Sequence, residues 1–318
     1  RNAVRFSVCE DKAAQMKPSE SYDTAPAAPS EFSYEAAFSR TLGWITRDEQ
    51  ARLRTRRAAI GGLGGVGGAH AITLARLGVG RVRLADFDHF DYPNFNRQFG
   101  ATVGNVGRSK VDVIVENVRG INPEAMIDAW ARPIRVEDAS AFLADADIYV
   151  DSIDFFTLDV RRALFAEARV RGIPALTAAP VGTGAAWIVF LPDGMSFETY
   201  FGFSETDVED NYLRFLVGLA PRALHLPFLV DRSFVDFKRR KAPSTPMGIV
   251  LCAGVAGTLA LRLLLDRGGI KAAPWFHQFD ASAGKMTSGR SWLGGANPVR
   301  RLKCAVTRRM VASADSAA

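Results

Sequence analysis

Apolar residues recur along the chain in short blocks separated by polar and glycine-rich joints. Ala58-Ala59-Ile60 is a strand-like run that stops in the turn Gly61-Gly62-Leu63-Gly64-Gly65-Val66-Gly67, and helical spacing follows through Leu77. Val82-Arg83-Leu84-Ala85-Asp86 then reads as a short strand. Helical spacing returns from Lys110 to Arg119, Ala125 to Trp130 reads as a strand, and Glu137 to Leu143 as another helix. Ala146 to Asp151 has the near-continuous apolar character of a parallel strand buried on both faces. A helix over Phe156–Val170 leads to a strand within Gly172–Ala179, and Ala185–Leu191 is expected as antiparallel edge material. Strands alternating with helices predict an α/β fold: a Rossmann-like, mostly parallel sheet with flanking helices and an antiparallel extension in the C-terminal half.

The remaining segments divide the chain. Residues 1–34 are rich in Pro, Ala, Ser and Glu without sustained periodicity, as expected of a flexible arm. Tyr34 to Arg57 reads as helical, with Asp48 and Glu49 early and Arg52, Arg54, Arg56 and Arg57 late, as the helix dipole favours. Residues 35–195 form the nucleotide-binding half, 196–247 a crossover or insertion, and 248–318 a C-terminal helix, last strand and basic tail of the same globular domain. Met247 to Leu265 is nearly all apolar, but Arg262 leaves fewer uncharged residues before it than the roughly 17–25 a membrane span needs, so a buried helix with no membrane is expected. Trp275 to Asp280 is the expected last strand.

The glycine turn carries the first chemistry. Gly62, Gly64 and Gly67 fit G-x-G-x-x-G between a strand and a helix, and Asp86 ends the next strand nineteen residues beyond Gly67. Such glycines let phosphate or ribose approach backbone N–H groups at a helix N-terminus, and the acid accepts hydrogen bonds from ribose hydroxyls. Any ribose nucleotide would satisfy this much. Asp86-Phe87-Asp88 then leads to Asn94-Phe95-Asn96-Arg97-Gln98, and Lys110 follows thirteen residues after Arg97. A nicotinamide needs an apolar slot, whereas a triphosphate needs cations to balance its oxygens as phosphorus is attacked.

At the G-x-G-G-x-G turn, the D-F-D step, the N-x-x-R-Q motif and the downstream lysine, the chain resembles the ThiF/MoeB/HesA superfamily of adenylating enzymes, which are related to ubiquitin-activating enzymes. The resemblance implies ATP-dependent attack of a carboxylate on the α-phosphate, an adenylyltransferase acting with Mg²⁺. By position it places Gly62, Gly64, Gly65, Gly67, Asp86 and Asp88 around the nucleotide, with Asn94, Arg97, Gln98 and Lys110 handling phosphates. Ser152-Ile153-Asp154-Phe155 resembles the family's D-x-x-D-N step, where the second acid directs Mg²⁺; Asp154 keeps that acid and Phe155 replaces the Asn. Capping of the following helix is the alternative role for Asp154. Arg40, in Phe38-Ser39-Arg40-Thr41, resembles an arginine that reaches into the partner subunit's ATP site, which implies a homodimer; a solvated helix residue is its alternative reading.

Composition narrows the class. Of 318 residues, 48% are hydrophobic and 23% charged, with net charge +6, as in a soluble globular protein with room for an anionic partner. The three cysteines, Cys9, Cys252 and Cys304, form no C-x-x-C pair, so neither a disulfide framework nor a zinc site is expected. Relatives place a zinc-binding pair where this chain reads Pro192 to Phe197, and a catalytic cysteine, where they have one, in a middle stretch that here contains none, so thioester capture is not expected. Cys252 is expected as an inert core thiol and His70 as packed. The first residues, Arg1 to Phe6, lack both an apolar run and an initiator Met, which reads as an incomplete or processed terminus with the cytoplasm as default compartment. The basic run Lys238 to Lys241 and the tail Arg300 to Arg309 read as solvated; the sharper alternatives are an acidic substrate or RNA phosphates for the run and nucleic-acid contact for the tail.

The expected substrate is the C-terminus of a ubiquitin-like sulfur carrier or a peptide, or a carboxylate on a modified tRNA base. A nucleotide-binding scaffold without turnover and an NAD-dependent oxidoreductase are the competing readings, and Arg97 with Lys110 argues against the second.

Overall fold

The computed structural model describes residues 31–235 and 242–315. It divides into two units, residues 1–33 and 34–318, and the regular elements among the described residues lie in the second. The expected arm therefore lies almost wholly outside the described residues, as does the run 238–241.

The helix expected from Tyr34 to Arg57 is broken. Helix α1 (Tyr34–Ala37) ends before a 3-10 turn at Ser39–Thr41, Gly43 takes φ +101°, and helix α2 (Arg47–Thr55) starts afresh. A capping box restarts it: Thr46 Oγ1 accepts from Glu49 N–H at 3.2 Å while Thr46 N–H donates to the Glu49 carboxylate at 2.9 Å. Strand β1 (Arg57–Gly61) follows, then α3 (Gly65–Arg76), β2 (Arg81–Ala85), α4 (Lys110–Ile121), β3 (Met126–Trp130), α5 (Ala139–Phe142) and β4 (Ile148–Asp151). Next come α6 (Leu158–Val170), β5 (Ala175–Val181), β6 (Gly184–Phe190), α7 (Phe197–Phe201), α8 (Val208–Leu219), α9 (Pro246–Leu264), β7 (Trp275–Asp280), β8 (Lys285–Arg290) and α10 (Pro298–Asp315).

The strands form one sheet in the order β3-β2-β1-β4-β5-β6-β7-β8. The first five are parallel, and β6, β7 and β8 continue it antiparallel. The apolar pattern predicts an antiparallel extension, but Trp275–Asp280 is not the last strand, because β8, too polar to show as an apolar run, pairs beyond it. Strand β6 is an interior strand between β5 and β7, not the expected edge. The true edge on that side is β8, whose polar, largely exposed Lys285 to Arg290 carries charge at both ends, a composition that discourages further pairing.

Each face of the sheet has its own core. On one side Leu74, Ile114, Val118, Cys252 and Ala256 of α3, α4 and α9 cover Val82, Leu84 and Val150. On the other, Phe142, Leu164, Phe165, Phe197, Tyr200, Phe201 and Phe215 build an aromatic layer over Tyr149 and Phe190. Because α3 leaves β1 on one face and α6 leaves β4 on the other, the C-terminal ends of β1 and β4 open a crevice, the place where such sheets take ligands.

Helix α9 passes the length and composition test for a membrane span, the one such helix among the described residues. Eight of its residues are nonetheless buried in the fold, and Gly257 lets it lie on Thr73 of α3, where a Cβ would come within 2.7 Å of Thr73 Cγ2. Met247 and Val250 stay exposed on its outer side, so it is only half buried. The tail departs from expectation more clearly. Instead of solvated chain, residues 298–315 are helix α10, and Arg300 is buried, donating to the carbonyls of Tyr200, Phe201 and Arg214. Lys303 donates to Pro221 O and Arg308 pairs with Asp210, so three of the tail's cations bind the fold itself.

Candidate active site

The glycine turn fills the mouth of the crevice. Gly62 has φ +84°, and a Cβ there would sit 2.4 Å from Ser152 O; one on Gly67 would sit 1.7 Å from Gly62 O. Those two glycines are needed by the fold itself. Gly64 is different, since only Gln98 Nε2 lies within 4 Å of its Cβ position, at 3.8 Å. It stands at the N-cap of α3, and no side chain caps the first turn. The N–H groups there remain for an anionic ligand.

Asp86 follows the last residue of β2 and closes back on the turn. Its Oδ2 accepts from Leu63 N–H at 2.6 Å and its Oδ1 from Asp88 N–H at 2.8 Å. Asp88 in turn meets Lys110 Nζ at 3.1 Å, while Lys110 N–H donates to Asp88 O at 2.9 Å. Lys110 opens α4 behind the N-cap Ser109 and is buried except for that contact.

Residues 92–98 form a turn capped by Asp91. Asn94 Oδ1 accepts from Asp91 N–H at 3.1 Å, so its side chain serves its own turn. Asn94 O accepts from Arg97 N–H and Gln98 N–H, which presents both side chains to the glycines. Arg97 Cγ lies 3.8 Å from the Cβ position of Gly65. Its Nη1 donates to Pro93 O and Asn96 Oδ1, and no carboxylate partners it among the described ion pairs. Burial lowers its pKa from the ordinary arginine value, the mark of a guanidinium lacking a counter-charge. Gln98 is buried with Oε1 unpartnered.

Across the crevice, β4 ends in Asp151, paired with Arg161 at 2.9 Å, both fully buried. Arg161 also donates to the carbonyls of Ile153, Asp154 and Phe155, fixing the loop that carries Asp154. Asp154 itself is exposed. Its Oδ1 accepts from Phe156 N–H at 2.9 Å, and α6 starts only at Leu158 with no side-chain cap, so Asp154 makes a local turn and not the helix cap that was its alternative role. Phe155 turns away into the aromatic layer, 5.3 Å from Phe215 and 5.0 Å from Phe156. Ser152, which sequence reasoning passed over, wedges between Gly62 and Gly67, and its buried Oγ has no partner.

Glycines 62, 64, 65 and 67, Asp86, Asp88, Lys110, Arg97, Gln98 and Asp154 thus surround one crevice, with Asn94 behind it. Arg40 does not join them within one chain. It is exposed beside Phe38, which lies against Gly78 just beyond the C-terminus of α3. Twelve helical residues, about 17 Å, separate that end from the glycine turn. For Mg²⁺, the single exposed Asp154 carboxylate fits an ion that takes one or two protein oxygens and keeps waters and phosphates. No group of three His, Cys, Asp or Glu residues gathers among the described residues, so an all-protein metal cage is not what this crevice offers.

A tRNA threonylcarbamoyladenosine dehydratase from Haemophilus influenzae is 33% identical over 150 residues, 47% of this chain and 57% of that protein. The sulfur carrier protein ThiS adenylyltransferase of Escherichia coli is 31% identical over 148 residues, 46% of this chain and 58% of that protein. The chain therefore spans little more than half the length of these curated relatives. Among solved structures, PaaA superposes with TM-score 0.62 at 17% identity, covering 83% of this chain and 77% of PaaA. Escherichia coli MccB with succinimide gives TM-score 0.61 at 18% identity, covering 79% and 68%. At such identities the likeness is one of fold. Residues 38–291 match the ThiF family over most of the chain, and the chain belongs to that family.

Proposed function

We propose that this protein adenylates a carboxylate with Mg·ATP and releases pyrophosphate. The observation that carries the reading is the half-buried Arg97 guanidinium, without a carboxylate partner among the described ion pairs, beside Gly65 at the uncapped start of α3. A substrate carboxylate oxygen attacks the α-phosphorus, the bond from that phosphorus to the bridging oxygen breaks, and pyrophosphate leaves with the electron pair. The carboxylate is already a competent nucleophile, so the protein's work is positioning and charge stabilisation. Asp86 holds the ribose, the Gly62–Gly67 turn admits the nucleotide, and Arg97, Gln98 and Lys110 face the phosphates, with Asn94 shaping their turn. Asp88 keeps the Lys110 ammonium in place. Asp154 would hold Mg²⁺, which would supply positive charge to balance the phosphate oxygens.

A second copy of this chain supplies Arg40 in this reading, which makes a homodimer the working unit, in the cytoplasm. Relatives bear names of enzymes acting on a sulfur carrier protein and on tRNA. A polypeptide C-terminus and a carboxylate on a modified tRNA base are therefore the substrate classes. The two cysteines among the described residues, Cys252 and Cys304, are buried and burial pushes both thiols up, which speaks against thioester capture on either; Cys9 lies outside the described residues. A non-catalytic nucleotide-binding scaffold is the second reading: Phe155 stands where the family has Asn, and its ring packs in the aromatic layer, 5.3 Å from Phe215.

Thermal unfolding with Mg·ATP, with NAD and with neither tests the site. Ligand at a hundred times its dissociation constant adds about 2.7 kcal/mol. Stabilisation by Mg·ATP alone, with pyrophosphate exchange lost in Arg97→Ala while the fold is kept, supports the reading. Stabilisation by NAD and not ATP defeats it.

A further inference from the structure

The side chain of Asn96 joins two parts of the crevice that the chain order keeps apart. Its Oδ1 accepts from Arg97 Nη1 at 2.9 Å, and its Nδ2 donates at 2.9 Å to Ser244 O, 148 positions along the chain. The partners decide which end of the amide is which. A guanidinium only donates and a carbonyl only accepts, so the oxygen must face Arg97 and the nitrogen Ser244. Both atoms belong to one planar group, so holding either end holds the other.

Ser244 is a firm anchor. The next residue, Thr245, is the N-cap of α9: its hydroxyl accepts from Gly248 N–H at 3.1 Å and donates to Gly182 O at 2.6 Å, tying the start of the helix to the turn between β5 and β6. One turn on, Ile249 is buried, and its Cδ1 lies 2.9 Å from the Cβ position of Gly65, which Arg97 Cγ approaches at 3.8 Å. Asn96 itself is exposed, so its two hydrogen bonds add little to the stability of the fold.

Their effect is on the guanidinium. Nη1 has two protons, and Pro93 O at 2.8 Å and Asn96 Oδ1 take both. Among the described residues Nε and Nη2 have no partner, so the free edge of the fork is the one that Nε–H and Nη2–H make. That edge can take two oxygens of one phosphate side by side. Both acceptors on Nη1 are neutral, so they orient the cation without cancelling its charge, as a carboxylate in either place would. An arginine left unheld keeps rotamer freedom that a bound phosphate would have to remove.

We infer that Asn96 is a positioning residue: it aims the Nε–Nη2 edge of Arg97 at the nucleotide phosphates and takes that aim from the start of α9. The inference rests on the adenylation reading and adds to it a residue that touches no substrate. It also makes the aim of Arg97 depend on where residues 244 and 245 stand, far along the chain from the glycine turn.

The test is a double-mutant cycle on the full chain with Mg·ATP as the probe, its Kd read by calorimetry for the parent, Asn96→Ala, Arg97→Ala and the double variant. Asn96→Ala is expected to weaken Mg·ATP binding roughly tenfold, the scale of one hydrogen bond, with the urea midpoint unmoved. Introduced into Arg97→Ala, the same substitution should change Kd no further, because the amide acts through the guanidinium. Asn96→Asp keeps an oxygen for Arg97 but sets a counter-charge on it, and should weaken binding at least as much as alanine does. Parent-like affinity in Asn96→Ala overturns the assignment. So does a tenfold loss that recurs in the Arg97→Ala background, since the amide would then serve the turn and not the arginine. Where Arg97→Ala binds too weakly to measure, Asn96→Asp decides, and parent-like affinity there overturns the assignment. A parent protein that binds no Mg·ATP would instead defeat the adenylation reading beneath it.

Discussion

The Asp86 carboxylate takes the Leu63 N–H at 2.6 Å, so the residue proposed to hold the ribose also ties the glycine turn to the end of β2. Its second oxygen holds Asp88 N–H at 2.8 Å. Charge-assisted bonds of this kind contribute about 1.5–3 kcal/mol each. Asp86→Ala should lower stability in urea by about 2 kcal/mol and abolish stabilisation by Mg·ATP, whereas Asp86→Asn keeps part of the first effect and all of the second. An Asp86→Ala protein as stable as the parent would show that the turn stands without this tie.

Gly67 and Gly64 separate folding from binding. Alanine at 67 drives a methyl to 1.7 Å from Gly62 O, backbone against backbone, and should cost at least about 3 kcal/mol or prevent folding. Alanine at 64 meets only the end of the Gln98 side chain at 3.8 Å and should cost no more than about 1 kcal/mol. Its methyl stands where phosphate would approach, so nucleotide stabilisation should vanish while the urea midpoint barely moves. Retained Mg·ATP stabilisation in Gly64→Ala would place the phosphates elsewhere.

The buried pair Asp151–Arg161, 2.9 Å apart, holds the Asp154 loop through three backbone carbonyls. Arg161→Met leaves the Asp151 carboxylate buried without its counter-charge and should cost about 3–5 kcal/mol. Adding Asp151→Asn removes the stranded charge and should recover part of that loss. A double-mutant cycle in urea measures the coupling, and additive losses would mean that the arginine matters only for its volume.

What was legible before the structure follows from how local the signal is. The β1–glycine turn–α3–β2 unit and the strand Trp275–Asp280 are written in contiguous apolar runs and glycines, and they stand where the pattern puts them. The capping box at Thr46–Glu49 is also local, but the helix-like composition on either side of Gly43 masks it. Helix α10 inverts the usual code: Val299, Leu302 and Val306 are exposed while Arg300 is 4% exposed, because the carbonyls of three other residues receive its guanidinium. No periodicity argument finds that. The crevice residues lie within about ninety positions and follow a family spacing, whereas Gln278 of β7 meets Arg222, whose N–H it accepts, only through the tertiary fold.

His70 makes stability depend on pH. It lies in α3, 1% exposed, with neither ring nitrogen hydrogen-bonded, and burial lowers its pKa from 6.5 to about 4. As pH falls, the unfolded chain takes up the proton near 6.5 while the folded chain resists until about 4. The unfolded state therefore binds more protons in that window, so stability is full above pH 6.5 and declines through pH 4, by a total on the order of 3 kcal/mol. His225 and His277 are also held low by burial and add to the same trend. Urea midpoints at pH 7.5 and 4.5 should differ clearly in the parent and less in His70→Leu, with the slope m unchanged. An equal pH dependence in both proteins would mean that His70 is solvated in the folded state, and the packing of α3 against α9 would need revision.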